Sequence, residues 1–180
     1  AARDSDVANA MLAHLARLAE EKDRLGRELL LWHDQLSRVF EITAHISQLR
    51  DPDEIETGLL RRFGALLAAG AVFVDRGGCC QRIALEGTDG RQVDVVPDTV
   101  RKVLARHVEV VRNSQRTAVP VLSAQEAAAL SNARVILSAL QRSDHEPGVI
   151  VVLRRASEPA FEERDVLAAE SVLAHGVQVL

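Results

Sequence analysis

Residues 135–153 read VILSALQRSDHEPGVIVVL. Two apolar, β-branched runs, Val135–Leu140 and Val149–Leu153, flank a polar turn that contains Asp144, His145, Pro147 and Gly148. Runs of this length around a proline- and glycine-bearing turn predict an antiparallel β-hairpin. Shorter segments of the same character lie upstream. Ala71 to Asp75 is apolar, Arg76-Gly77-Gly78 is a turn, and Cys80 to Leu85 alternates. Gly87-Thr88-Asp89-Gly90 is a second turn, and Gln92 to Val96 alternates again. The expectation is a meander of antiparallel strands, with Val108–Arg112 and Ala118–Leu122 as further short strands or edge segments.

Helical signals frame these strands. Asp51-Pro52-Asp53-Glu54 restarts a helix, with Asp51 as cap, Pro52 in the first turn and Glu54 placed for a capping box; Gly70 ends it. Ile55, Leu59, Leu60, Phe63, Leu66 and Leu67 give that helix its apolar spacing. Pro97-Asp98 opens a helix through Arg106, with Val100, Val103 and Leu104 inward. Ser123-Ala124-Gln125-Glu126 is a capping box for a short helix ending near Leu130. A last helix begins at Phe161, with Val166, Leu167, Val172, Leu173, Val177 and Leu180 on its apolar side and no stop signal.

The first quarter of the chain has a different period. Met11, Leu15, Leu18, Leu25, Leu29, Trp32, Leu36, Val39 and Ile46 alternate at spacings of four and three, and Lys22 and Thr43 fill the polar seats. This is a heptad seam, predicting one helix from about Asp6 to Leu49 that extends ~60 Å at the usual rise. A seam two residues wide per heptad needs a partner helix, most simply from a second copy of the chain. Lys22 at an a position favours a parallel pair, because its ammonium can reach solvent. Gly26 and the bulky Trp32 are the places where the packing is expected to change.

Composition narrows the function. The chain has 180 residues, 47% of them hydrophobic, which suits one domain plus an appendage. A net charge of -4 and 3% aromatic residues argue against a nucleic-acid surface. No apolar run is long enough to span a bilayer, and no signal peptide opens the chain, so a cytoplasmic location is expected. The two cysteines, Cys79 and Cys80, are adjacent, which suits neither a mutual disulfide nor a zinc site.

Four places carry a family resemblance: Phe40 to Leu60 as an incoming helix, Ala71 to Asp75 as a first strand leading to a Gly-rich turn, Gly148-Val149-Ile150 opening the last strand, and Phe161-Glu162-Glu163-Arg164-Asp165 opening the final helix. In this order they resemble a GAF domain, the sensor fold related to PAS, over residues 39–180. The implied fold class is α+β: a long N-terminal coiled-coil helix, residues 1–38, followed by a GAF/PAS-like antiparallel sheet flanked by helices. The segment from Arg24 to Leu60 is similar to the lead-in of GAF-containing serine phosphatases of the sporulation and stress-sigma-factor regulator type. Sensor histidine kinases and some transcription regulators share the arrangement. Some family features are missing. Ser138-Ala139-Leu140-Gln141 stands where the family often has a proline-leucine pair, and the Asn-Lys-Phe-Asp-Glu set of cyclic-nucleotide members is not found. The cysteine and nearby histidine that a bilin-carrying member needs beside its pocket are not found either.

Four residues are candidates for chemistry. His33, followed by Asp34 on the predicted coiled coil, has the look of a phosphoacceptor, but it falls on the flank of the seam where polar residues belong. Cys79 and Cys80 could sense oxidants if a positive charge lowered a thiol pKa; as neighbours in a strand, one of them must face the core. His107 is the one reasonable pocket histidine for a haem-binding member. No phosphate loop or catalytic triad spacing is found. The expectation is a non-enzymatic, cofactor-free homodimer that relays a signal to an attached output domain. Three alternatives stand beside it: a GAF domain of a histidine kinase or transcription regulator that binds a small effector in a pocket lined by residues between Val93 and Val135, a ligand-free dimerisation platform, and phosphotransfer through His33.

Overall fold

The computed structural model describes residues 52–85, 90–141 and 147–176, together with residues 14, 17–27, 29, 30, 33 and 37. The predicted hairpin is its centre. Strand β4, Gly148–Arg154, is buried along its whole length. It pairs antiparallel with β3, Arg134–Leu140, in a register running from Arg134↔Arg154 to Leu140↔Gly148. Its other side pairs antiparallel with β1, Ala71–Arg76, from Ala71↔Leu153 to Asp75↔Val149. Strand β2, Cys79–Ile83, completes a four-stranded sheet in the order β2-β1-β4-β3.

Both faces of this sheet are covered, which explains why β1 and β4 are apolar without alternation. Helix α1, Pro52–Leu66, and helix α4, Glu163–Gly176, lie on one face. There Leu59, Leu60, Phe63, Ala169, Val172 and Leu173 pack against Val72, Ile136, Ile150 and Val152. Helix α2, Pro97–Ser114, covers the other face, setting Val100, Leu104, Val108 and Val111 against Phe73, Leu137, Val149 and Val151. Neighbouring strand residues such as Val72 and Phe73 thus serve opposite layers, as the two-residue period of a strand requires.

Several sequence expectations are corrected. Val108–Arg112 is not a strand: it continues α2 to Ser114. Its valines favour a strand by propensity, but Val108 and Val111 extend the i, i+4 spacing of Val100 and Leu104, and tertiary burial of that stripe decides. The helix closes at Gln115, a left-handed residue (φ 56°) whose N–H bonds to the Val111 carbonyl. Gln92–Val96 is not a strand either. It is irregular chain that delivers buried Val93 and Val95 to the α2 face, with the Val93 N–H on the Gly70 carbonyl at 3.1 Å. The expected meander therefore stops at β2. In place of an Ala118–Leu122 strand there is one antiparallel bridge, Ala118 to Leu137, with both N–H···O distances 2.8 Å.

Other local readings hold. Helix α3, Ala124–Ala129, is closed at its start by the capping box: the Glu126 N–H donates to Ser123 Oγ at 3.3 Å and the Ser123 N–H to Glu126 Oε2 at 2.7 Å. At the start of α4, the Glu162 N–H donates to Asp165 Oδ2 at 2.9 Å.

The chain divides into two compact units, Ala1–Arg38 and Val39–Leu180. The described residues of the first are helical. They include four members of the predicted seam, Leu18, Lys22, Leu25 and Leu29, all exposed. Met11, Leu15, Trp32, Leu36, Val39, Thr43 and Ile46 lie outside the described residues, as do Asp51, Asp144, His145 and the last four residues.

Candidate functional site

The α2 face of the sheet is where an effector pocket was expected, between Val93 and Val135. The side chains there form one apolar cluster: Val93, Val95, Leu130, Ala133 and Val135 join the stripe of α2 against Phe73, Val149 and Val151. Buried side chains of this kind pack at the density of a protein interior. Among the described residues, two hollows open beside this cluster, near the β3 edge, and the second is lined mostly by residues between Val119 and Val135. One of about 400 Å³ lies between Gln115, Thr117, Ala139, Gln141 and the Glu170–Ala174 side of α4. The other, about 320 Å³, is lined by Val119, Pro120, Leu122, Val135 and Phe161 among others.

The cysteines part company on β2. Cys79 is exposed; Cys80 is half-buried and packs against the α2-face cluster. Burial pushes the Cys80 thiol from 9.0 up to about 11, with Asp75 and Cys79 adding to the rise and Arg101 opposing it. The cation needed to activate a thiolate is outweighed. Alkylation with iodoacetamide at pH 7.5, read by mass spectrometry, is expected to mark Cys79 first. Cys80 should lag until the pH approaches about 11. Because the folded pKa is raised, the proton on Cys80 contributes stability below the ordinary value of 9.0, and that contribution is lost as pH rises through about 11. Equal labelling rates at neutral pH would contradict this placement.

His107, on α2, sets its Nε2 3.5 Å from Glu126 Oε1. Glu126 in turn accepts from the Ser123 N–H and hydroxyl, and these bonds, with His107, hold its carboxyl below the usual range. His107 thus braces the start of α3. His33 is helical and exposed. The cysteines lie on β2, whereas His107 is engaged with Glu126 at the start of α3, and His33 belongs to the other unit.

Polar groups that sequence reasoning passed over sit at the two ends of the sheet. At one end, buried Asp75 accepts from Arg112 Nη2 of α2 at 2.7 Å, and Arg112 Nη1 donates to Glu109 at 2.8 Å. One residue on, and on the opposite face, Arg76 Nη2 meets Glu56 of α1 at 2.7 Å, a contact that pairs the charges without hydrogen-bond alignment. At the other end Arg154 is only 6% exposed. Its Nε and Nη2 donate to the Leu67 carbonyl at 3.0 and 2.7 Å, and its Nη1 to the Pro159 carbonyl at 3.2 Å. Nη2 also lies 3.5 Å from Asp165 of α4, and the guanidinium sits 4.0 Å from the Phe161 ring centroid. In the sequence, the only signal for this is an arginine closing an otherwise apolar strand.

No established sequence family matches the chain, and no curated protein does. Solved structures do. A GAF domain assigned to a sensor histidine kinase from Pseudomonas syringae pv. tomato is similar over 84% of this chain and 88% of its own, with a TM-score of 0.51 and 13% identity. The phycocyanobilin-bound GAF domain from a cyanobacterial phytochrome is similar over 80% of this chain and 92% of its own, with a TM-score of 0.57 and 16% identity. The chain therefore has the GAF fold, as the order of its sequence motifs implied. Among the described residues, no helix is long and apolar enough to cross a membrane.

Proposed function

We propose that this chain is a dimeric sensory and signal-relay module of a bacterial multidomain signal transducer, cytoplasmic and without catalysis of its own. The observation that carries the reading is the exposed seam: Leu18, Leu25 and Leu29 are 48%, 52% and 72% exposed on helical residues at heptad spacing. Apolar side chains so placed favour burial against a second helix, and a parallel copy offers the matching seam. A GAF fold attached to such a helix suits a relay, because alternative packings of a seam supply the two states that a switch needs. The output is proposed to be a covalently attached domain. The resemblance of Arg24–Leu60 to phosphatase lead-ins favours a serine phosphatase over a kinase or a DNA-binding domain.

The apolar cluster under α2 favours a ligand-free platform, and the hollow lined by Val119, Leu122 and Val135 is where an effector would enter instead; the exposed flank position of His33 suits an ordinary solvated residue better than a phosphoacceptor. The test is oligomeric state. Analytical ultracentrifugation of the chain is expected to give a dimer, and Leu25→Asp with Leu29→Asp a monomer of unchanged sheet content. Lys22→Leu is expected to tighten the pair. A monomeric wild type, or a dimer indifferent to both aspartates, would sink the proposal.

A further inference from the structure

Arg154 reaches both the end of α1 and the start of α4. Its guanidinium has one face on Phe161, two donors on the Leu67 carbonyl just past α1, one on Pro159, and Asp165 within ion-pair distance. A planar guanidinium cannot follow one of these groups without leaving the others. If α4 shifts, it carries Phe161 and Asp165 with it, and the plane is pulled off Leu67. The carbonyl so released is buried, where an unmatched polar group is costly. Glu56, near the start of α1, is tied separately to Arg76, so the two ends of α1 are held by different strands.

We infer that Arg154 is a positioning residue that couples the C-terminal end of α1 to the N-terminal turn of α4, so that loosening either helix end loosens the other. The coupling stands on this geometry. Its use in signalling rests on the relay reading above, and the experiment separates the two because it measures coupling within the isolated chain, without any output.

The experiment is hydrogen–deuterium exchange on the 180-residue chain, comparing wild type with Arg154→Met and Asp165→Asn. Arg154→Met is expected to speed exchange roughly tenfold, the equivalent of ~1.4 kcal/mol, both in peptides spanning residues 60–70 and in those spanning 160–170. Exchange at residues 149–152 should stay near the wild-type rate. Asp165→Asn keeps a side-chain acceptor for the Glu162 N–H and replaces the charged oxygen facing Arg154 with an uncharged NH2 that cannot accept from it. It is expected to speed both segments by a smaller factor. Should Arg154→Met fail to fold, the second variant decides alone. The inference is overturned if Asp165→Asn speeds only the α4 segment, or if Arg154→Met speeds every segment alike.

Discussion

Phe73→Ala is expected to lower the unfolding free energy by ~3–5 kcal/mol, a large part of the ~5–15 kcal/mol that a domain has in total. Phe73 is fully buried on β1, in the centre of the cluster that α2 covers. Its ring also carries Arg82, whose Cζ lies 5.8 Å from the centroid and whose Nη2 donates to the Val93 carbonyl at 3.0 Å. Removing the ring thus opens a cavity and frees the arginine that steadies the Val93 segment. Phe73→Leu keeps most of the volume and should cost less than about 1.5 kcal/mol. Urea unfolding at one fixed protein concentration measures both. A loss below ~1 kcal/mol for Phe73→Ala would mean that this face collapses easily and is loosely packed.

Gly70→Ala should be nearly as damaging, for a different reason. A Cβ at Gly70 would stand 2.1 Å from the Arg91 carbonyl oxygen and 2.7 Å from Val93 Cγ2. No rotamer change moves a backbone carbonyl. The Gly70 backbone is itself held on both sides, its N–H on Leu153 and its carbonyl under the Val93 N–H. The added methyl must push the 91–93 segment off the sheet, at a cost of about 3 kcal/mol. Gly26→Ala is the internal control. It lies on an exposed helical residue with nothing within 4 Å, and it should stabilise its helix by ~0.5–1 kcal/mol. If Gly70→Ala unfolds at the wild-type midpoint, the close approach of these two chain segments is wrong.

What could be read from the sequence was local. The hairpin at 135–153 and the Ser123–Glu126 capping box each announce themselves within a few residues, and both stand as expected. The far end of α2 was equally local but ambiguous. Val108, Val110 and Val111 favour a strand by propensity, and only the continued spacing from Val100 marks the helix. The pairing of β1 with β4 and the joining of Val93 and Val95 to the α2 cluster were not legible, because they depend on which distant segment arrives. The same holds for Arg154: its partner Leu67 is far away in the chain, and a backbone carbonyl carries no residue-type signature. The candidate residues were chosen for their chemistry. Cys80 and His107 turned out to be placed by packing and bracing, and the charged groups most deeply engaged, Asp75 and Arg154, read as ordinary strand-end charges.

The strand order has a consequence for how this chain comes to be folded at all. Strand β1 lies between β2, its neighbour in sequence, and β4, which reaches it from the far end of the fold with Ala71 opposite Leu153. The β3–β4 hairpin closes a short loop and can form quickly, whereas joining it to β1 closes a loop of most of the domain and carries the larger entropic cost. During synthesis, the edge of β1 that β4 will pair with therefore stays unpaired until residue 154 has left the ribosome. In the interval between the making of β1 and the arrival of β4, that open edge is where a second nascent chain could pair by mistake.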